Sequence, residues 1–247
     1  MKNMRSNPTF RRILQFGGIA AGVIMIAFGA ASIYLGFAGR STIGESLGNE
    51  FIVGSDDMNQ SAIGQEINTI IRPSQENIAA ERKKAGVEPI EFTPVVAPKC
   101  DVAGEEIDNG TDARCFAEYL RLHALRSTSG LTYSQIGRYV AKDDAPPEET
   151  DFAGGTESGA YAELNPKTSQ PLDNPDRDLW VTATALSSAL NLAYTAEQVS
   201  LFGIVVGFAL LLTGIGLVIL AVEALPPRKG GDAGGEKPTD VEAAPAQ

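Results

Sequence analysis

Histidine and cysteine are scarce in this sequence of 247 residues, which has one histidine, His123, and two cysteines, Cys100 and Cys115. Any Ser-His-Asp or Cys-His arrangement would depend on this one histidine. His123 lies on the apolar face of a predicted helix, beside Tyr119 and Leu120, so we interpret it as a packed, hydrogen-bonded core residue. A zinc site normally needs more than one nitrogen or sulfur ligand. We therefore predict no catalytic residues and no metal site.

Motifs that carry enzyme chemistry are also missing. The chain contains no HExxH, no Walker-type phosphate loop and no GxSxG. The glycine-rich segment FAGGTESG, which begins at Phe152, lacks the lysine of a phosphate loop. The segment GSDDMNQ around Asp56 and Asp57 lacks the alternating carboxylates and the glycine of an EF-hand loop. We expect a protein that is not an enzyme and that holds no cofactor.

Charge is absent from two long apolar runs, Ile13–Ala38 and Val199–Val222. Each run is longer than the roughly 20 residues that a helix needs to cross the hydrocarbon core of a bilayer. We predict two transmembrane helices, and hence the lipid bilayer as one partner. The alternative for the first run is a cleaved signal peptide, although the run is longer than a usual signal h-region. The alternative for the second run is a buried helix of a soluble protein.

The charges that flank the two runs predict their orientation. Basic residues precede the first run and follow the second, namely Lys2, Arg5, Arg11, Arg12, Arg228 and Lys229, whereas the facing flanks carry Arg40, Glu45, Glu50 and Glu197. By the positive-inside rule both termini are cytoplasmic and the central region is outside. The predicted segments are a basic tail (1–12), transmembrane helix 1 (13–38), an extracytoplasmic domain (39–174), a stalk helix (175–198), transmembrane helix 2 (199–222) and a disordered tail (223–247).

The region predicted to lie outside is acidic. Between Gly39 and Gln198 it has 13 basic and 26 acidic residues, a net charge of −13. Such a surface repels nucleic acid, which we exclude as a partner, and it repels anionic lipid. An even pair of cysteines in an oxidising compartment predicts one disulfide between Cys100 and Cys115.

Hydrophobic periodicity predicts a mostly helical outside domain. SAIGQEINTIIRP places Ile63, Ile67, Ile70 and Ile71 on one helical face and is expected to end before Pro73, after which SQENIAAERKKAG forms a second short helix from Ser74 to Gly86. VEPIEFTPVVAPKC, rich in proline, is either an edge strand or an extended crossing. A helix from Asp112 and a second one after the T-x-x-Q capping box of Thr132 predict a helical hairpin up to Ala141. KDDAPPEETD then reads as a solvated linker.

The segment NPDRDLWVTATALSSALNLAYTAEQVSLF predicts a helix that continues into the second apolar run. Asn174 is a favoured N-cap, Pro175 suits the first helical turn, and no proline or glycine follows before Gly203. The apolar residues recur at helical spacing and should face the outside domain; they are Leu179, Ala183, Leu186, Leu190 and Ala193 or Tyr194. Within the two apolar runs, Gly18 and Gly22, and Gly203 and Gly207, are candidates for close helix packing.

The order of these segments resembles a group of actinobacterial membrane proteins that have two transmembrane helices and no assigned function. The resemblance rests on GSDDMNQSAI, on FAEYLRLHALRSTSGLTYSQIGRY and on LWVTATALSSALNLAYTAEQVSLFGIVVGFALLLTGIG. It implies the two-span topology and a bacterial envelope setting, and it carries over no active site.

Two functions fit these observations. The first is a structural or accessory interaction protein of the plasma membrane that binds another envelope protein or a second copy of itself. The second is a module that binds or senses a small ligand in a pocket between the stalk and the hairpin, with Tyr119, His123 and Tyr133 as its polar groups.

Overall fold

The chain is mainly helical, as predicted. The computed structural model describes residues 8–223, with side chains from residue 11 onward, so most of the two predicted tails (1–12 and 223–247) lies outside the described residues. The helices are α1 (Pro8–Gly48), α2 (Gln60–Glu66), α3 (Arg72–Lys84), α4 (Gly110–Ser127) and α5 (Pro175–Glu223), and the strands are β1 (Tyr139–Val140) and β2 (Gly155–Thr156). A π-helical turn, Ile67–Ile71, joins α2 to α3, and 3-10 turns occupy Tyr133–Gln135 and Pro147–Glu149.

Helices α1 and α5 are long and apolar enough to cross a membrane. Each contains one of the two predicted apolar runs and extends well beyond it. The stretch from Pro175 to Glu223 is one uninterrupted helix. Its first turn carries the acidic residues Asp176 and Asp178, and the side chain of Asn174 accepts a hydrogen bond from the backbone N–H of Asp176 at 3.0 Å. The N-cap and the helix dipole therefore fix the start of α5.

Contacts divide the chain into two compact units, one made of the residues up to Ser32 and from Val206 onward, the other of Ile33–Val205. In the first unit, α1 and α5 meet at glycines. A Cβ at Gly29 would lie 2.7 Å from the carbonyl oxygen of Gly207, and a Cβ at Gly22 would lie 2.7 Å from that of Gly214. The missing side chains allow the two backbones to touch, as in other small-residue helix pairs.

Two of these glycines were predicted as packing residues, whereas Gly29 and Gly214 were not. Of the other two candidates, Gly18 would place a Cβ 3.1 Å from that of Ala221, and Gly203 lies in the part of α5 that belongs to the second unit. The predicted motif pairs glycines that are four residues apart. Gly29 does not fit it, because Gly29 lies seven residues after Gly22. Seven residues are close to two turns, so both lie on the same face of α1.

We expect Gly29→Ala to weaken the pairing of α1 with α5 by about 1–3 kcal/mol, the usual cost of overpacking, because backbone atoms on α5 cannot yield as a side chain can. Gly17→Ala is the matched control, since nothing lies within 4 Å of a Cβ at Gly17. Alanine favours a helix over glycine by about 1 kcal/mol, so propensity alone predicts that both variants are stabilised. Thermal unfolding in detergent, followed by circular dichroism, should instead give a lower midpoint for Gly29→Ala alone.

The second unit is built around a core to which α2, the π-helical turn, α4 and α5 contribute. Its fully buried side chains include Ile63, Ile71, Val102, Ile107, Tyr119 and Leu131. The prediction for Ile70 is wrong, because 42% of that residue is exposed. A π-helical turn takes more residues per revolution than an α-helical one, which brings Ile71 back over Ile67 and turns Ile70 to the surface.

The predicted break before Pro73 is also wrong. The chain stays helical from Gln60 to Lys84, and Asn59, not Ser74, is the N-cap, accepting from the N–H of Ala62 at 2.9 Å. The wide π-helical turn lies directly before the proline, where it relieves the clash between the ring and the preceding turn. The helical segment ends as predicted at Gly86, whose φ of +71° is a left-handed C-terminal conformation.

The predicted helical hairpin is only half present. Helix α4 forms with Asn109 as its N-cap, and the capping box of Thr132 and Gln135 is present, but the helix after it lasts for one 3-10 turn. The chain is extended at Ile136 and then forms β1, which pairs with β2 in antiparallel fashion. The helix stops here because the N–H of Gly137 donates to Asp151 at 2.8 Å instead of to a carbonyl one turn back.

Asp151 also corrects the prediction of a solvated linker. This last residue of KDDAPPEETD is buried, and its carboxylate accepts backbone N–H bonds from Gly137, Ala153 and Gly155, each at 2.8 Å. Three charge-assisted hydrogen bonds compensate for the removal of the carboxylate from water. Asp151 therefore fastens the loops that carry β1 and β2.

The disulfide between Cys100 and Cys115 joins the segment that precedes α4 to the second turn of α4, across a Cα separation of 6.0 Å. The proline-rich segment that leads to Cys100 forms no strand, and four of its side chains pack against the core: Ile90, Phe92, Val95 and Ala97. It is thus the extended crossing and not the edge strand. Closing a loop of this length stabilises a domain by about 3 kcal/mol in the chain-entropy model.

Candidate functional site

Tyr119 is a structural residue in the core. The side chain is fully buried, and its hydroxyl donates a hydrogen bond to the backbone carbonyl of Cys100 at 2.6 Å. Burial raises the pKa of this phenol, with Asp101 and Glu118 acting in the same direction. The neutral hydroxyl thus fixes the extended segment next to the disulfide, where no ligand reaches it.

Tyr133 lies at the surface, with 44% of the residue exposed. Its ring contacts the Arg177 guanidinium, whose carbon lies 4.5 Å from the ring centroid, and Arg177 also forms an ion pair with Glu157. Hydrogen bonding with Tyr133 is the largest factor that raises the pKa of Arg177. Tyr133 therefore helps to hold the beginning of α5 against the 3-10 turn.

His123 faces the turn that precedes α2. Its Nε2 lies 3.3 Å from Oδ2 of Asp57, and Arg126, one turn further along α4, contacts both Asp57 and Glu66. The Ser55 hydroxyl, which donates to Asp57, holds the pKa of that carboxyl below its ordinary value, and His123 and Arg126 add to this effect against burial. The structure thus places the three predicted pocket residues apart: Tyr119 in the core, Tyr133 at the start of α5, and His123 in a polar cluster.

A cavity in the second unit lies between the end of α1 and the middle of α5, and we call it the α1–α5 groove. It has a volume of about 460 Å³ and is lined by Thr42, Ile43, Ser46, Leu47, Glu50, Ile52, Leu186, Ala189, Leu190 and Ala193. Glu50 is the one ionisable side chain in this lining. The surface is therefore apolar and rich in small residues, which suits a hydrophobic occupant and no proton-transfer chemistry.

The two helices are held at fixed separation at one end of the groove. A Cβ at Gly36 would lie 2.7 Å from the carbonyl oxygen of Ser200, so the backbones touch there. Next to this contact the buried carboxylate of Glu197 pairs with Arg40 at 2.8 Å and accepts the N–H of Gly110 at 2.8 Å. One carboxylate therefore ties α1, α5 and the first turn of α4 together, and sequence reasoning missed it because its partners are distant in the chain.

Phe51 follows α1 beside the groove, in an unusual conformation. Its φ of 50° lies in the left-handed region, and 80% of the residue is exposed. A non-glycine residue in that region costs roughly 1–2 kcal/mol, and exposing the ring gains no burial. Neither feature stabilises the isolated chain.

A smaller cleft lies between α4 and α5. It has a volume of about 280 Å³ and is lined by Ala117, Glu118, Arg121, Trp180, Ala183, Thr184, Ser187, Ser188 and Asn191. This is the place where sequence analysis expected a ligand pocket, between the stalk and the first helix of the hairpin. None of the predicted tyrosines and histidine lines it, however, and its polar side chains are Glu118, Arg121, Thr184, Ser187, Ser188 and Asn191.

Comparison of the chain with protein-family models, with curated proteins and with solved structures finds no match. The resemblance to actinobacterial two-span membrane proteins therefore stays a prediction.

Proposed function

We propose that this protein is a membrane-anchored accessory protein that binds an apolar helix of another membrane protein in the α1–α5 groove. The observation that carries the proposal is the groove itself, an open apolar surface formed by the two helices that are long enough to span a bilayer. An apolar groove of this kind suits an apolar helix laid along it.

The position of the groove along the chain favours a partner that is itself a membrane protein. It starts at Thr42, shortly after the predicted span 13–38, and on α5 it ends at Ala193, shortly before the predicted span 199–222. Both sides of the groove are thus close in sequence to an apolar run, so the occupant we propose is an apolar helix of another membrane protein. Small side chains such as Ser46 and Ala189 let its backbone approach closely.

The membrane assignment within this proposal is the bacterial plasma membrane, with both termini cytoplasmic and the groove outside. Its support is the excess of basic residues at the outer flanks of the two apolar runs. The acidic charge of the region 39–198 opposes contact with anionic lipid and favours a protein partner. A binding role, and not catalysis, fits a lining whose one ionisable side chain is Glu50.

Photocrosslinking tests this proposal. A photoreactive amino acid at Ala189, in the groove, should crosslink the full chain in native membranes to an apolar helical peptide of one membrane protein, identified by mass spectrometry. Thr182 is the control position, since it is exposed on α5 and lines neither the α1–α5 groove nor the cleft between α4 and α5. Ala189→Trp fills the groove and should abolish co-purification of that partner, whereas Thr182→Trp should leave it intact.

Other products of the same experiment contradict the proposal. A crosslink to a second copy of the chain would make the groove a homodimer interface, and a crosslink to phospholipid would make it an acyl-chain site. Equal crosslinking from Ala189 and Thr182 would show that the groove has no specific occupant.

The second candidate, a ligand-binding or sensing module, rests on the cleft between α4 and α5 and on the two charged side chains that line it, Arg121 and Glu118. The cleft is slightly smaller than the roughly 300–1,000 Å³ typical of ligand pockets. A protein that purifies alone in mild detergent and releases a stoichiometric small molecule on denaturation would favour this candidate over the first.

A further inference from the structure

Three potential metal ligands from separate parts of the second unit lie together. Asp57 is in the turn before α2, Glu66 is the last residue of α2, and His123 is on α4. One donor atom of each lies within 4.8 Å of the donor atoms of the other two. Arg126 borders the cluster and pairs with both carboxylates.

Two buried atoms in this cluster lack a hydrogen-bond partner. They are Oε2 of Glu66 and Nε2 of His123, and no other buried side-chain nitrogen or oxygen of residues 11–223 is in this state. His123 lies 3.3 Å from Asp57 but forms no well-directed hydrogen bond with it. Because buried polar atoms in proteins are almost always satisfied, two unsatisfied atoms in one cluster indicate a missing partner.

The other oxygens of the two carboxylates already have partners. Oδ1 of Asp57 accepts a hydrogen bond from the Ser55 hydroxyl, and Oε1 of Glu66 accepts one from Arg126 at 2.5 Å. These contacts orient the carboxylates. They leave Oε2 of Glu66 without a partner, whereas Oδ2 of Asp57 faces His123 and accepts a long hydrogen bond from Arg126 at 3.4 Å. Outer contacts of this kind orient the ligands in established metal sites.

We propose that Asp57, Glu66 and His123 bind a divalent transition-metal ion such as zinc. Imidazole nitrogen and carboxylate oxygen bind zinc at about 2.0–2.2 Å, so three donors within 4.8 Å of one another surround such an ion after small side-chain adjustments. Three protein ligands leave the fourth position to water. The ion joins the turn before α2, the end of α2 and α4.

The guanidinium of Arg126 sets the strength of the site. With a neutral imidazole, the two carboxylates and Arg126 carry one net negative charge, and the bound ion makes the cluster positive. Arg126 therefore weakens binding, while it holds Glu66 in place. The sequence alone gives no sign of this site, because the two carboxylates are far from His123 in the chain.

The test uses the full, untagged chain in detergent, stripped with a chelator and titrated with zinc alone or cobalt alone. Both cysteines are in the disulfide and do not compete for the ion. We expect one ion per chain by elemental analysis, a higher thermal midpoint with zinc, and a visible cobalt absorption band of four-coordinate type.

Matched variants assign the site. His123→Gln should weaken zinc binding by at least about tenfold and remove the cobalt band. Glu118→Gln, which removes an exposed carboxylate from the same helix, should change neither. Arg126→Gln should bind zinc more tightly than the parent chain, since it removes a positive charge and keeps a side-chain donor.

Three results would overturn the proposal: no zinc bound at stoichiometric ratio, equal binding by the parent chain and His123→Gln, or weaker binding by Arg126→Gln. The first of these would show that the cluster is an ion-pair network only. If His123→Gln does not fold, Arg126→Gln still decides, because a bound cation predicts tighter binding and an ion-pair network predicts none.

Discussion

Trp180→Ala is expected to destabilise the protein by about 3–5 kcal/mol, the usual cost of removing a buried tryptophan. Only 6% of Trp180 is exposed, and its indole N–H donates to the carbonyl of Leu131 at 2.9 Å and to the hydroxyl of Thr128 at 3.1 Å. The substitution leaves a cavity between α5 and the chain that follows α4. It also removes the contact that fixes the N-terminal part of α5 to the core.

Thermal unfolding in detergent measures this effect. Circular dichroism is the readout, because the Trp180 variants lack the one tryptophan that fluorescence would follow. Trp180→Phe should fall between the parent chain and the alanine variant, because it keeps much of the packing and loses the donor. Val181→Ala is the control, since Val181 is 54% exposed and should shift stability by no more than about 0.5 kcal/mol. Equal midpoints for Trp180→Ala and Val181→Ala would contradict the packing of α5 against α4.

The buried face of α5 shows how far periodicity predicts a fold. Ala183 and Leu190 are buried as expected, but Leu179 and Leu186 are 39% and 37% exposed. Two further residues on the face of α5 that packs against the core are polar and were not predicted. They are Ser187 and Glu197, whose partners lie on other helices. A hydrophobic pattern cannot identify a buried polar residue, since its place in the core depends on a partner that is remote in sequence.

The sequence predicts correctly those caps and turns that depend on neighbouring residues alone. The N-cap of α5, the left-handed glycine at Gly86 and the capping box at Thr132 all appear at their predicted positions. The predicted second helix of the hairpin failed because the N–H of Gly137 bonds to Asp151, fourteen residues further on. A tertiary contact thus overrode a correct local start signal.

In the candidate sites, too, the sequence predicts the helices but not the tertiary contacts between them. The two helices that form the α1–α5 groove were evident from composition, whereas the groove depends on where Glu197 and Gly36 fix their separation. The cluster around His123 is formed by residues from three elements, and sequence spacing carries no trace of it.

Ala189→Pro is expected to cost about 3 kcal/mol or more, because α5 passes through this position without a break and proline removes a backbone donor and clashes with the preceding turn. Ala189 is exposed, so no loss of core packing contributes. It lies between the Trp180 contact and the Glu197 ion pair, two of the points at which α5 is fastened within the second unit. A kink between them cannot leave both contacts intact.

Ala189→Gly separates this effect from helix propensity. Glycine at an exposed helical position costs about 1 kcal/mol without forcing a kink, so the three chains should unfold in the order proline, glycine, parent as the temperature rises. Nearly equal midpoints for the proline and glycine variants would mean that the helix is already interrupted near Ala189. A proline variant that unfolds well below the glycine variant requires a continuous α5, held at Trp180 and Glu197, because only then do the two fastening points oppose the kink.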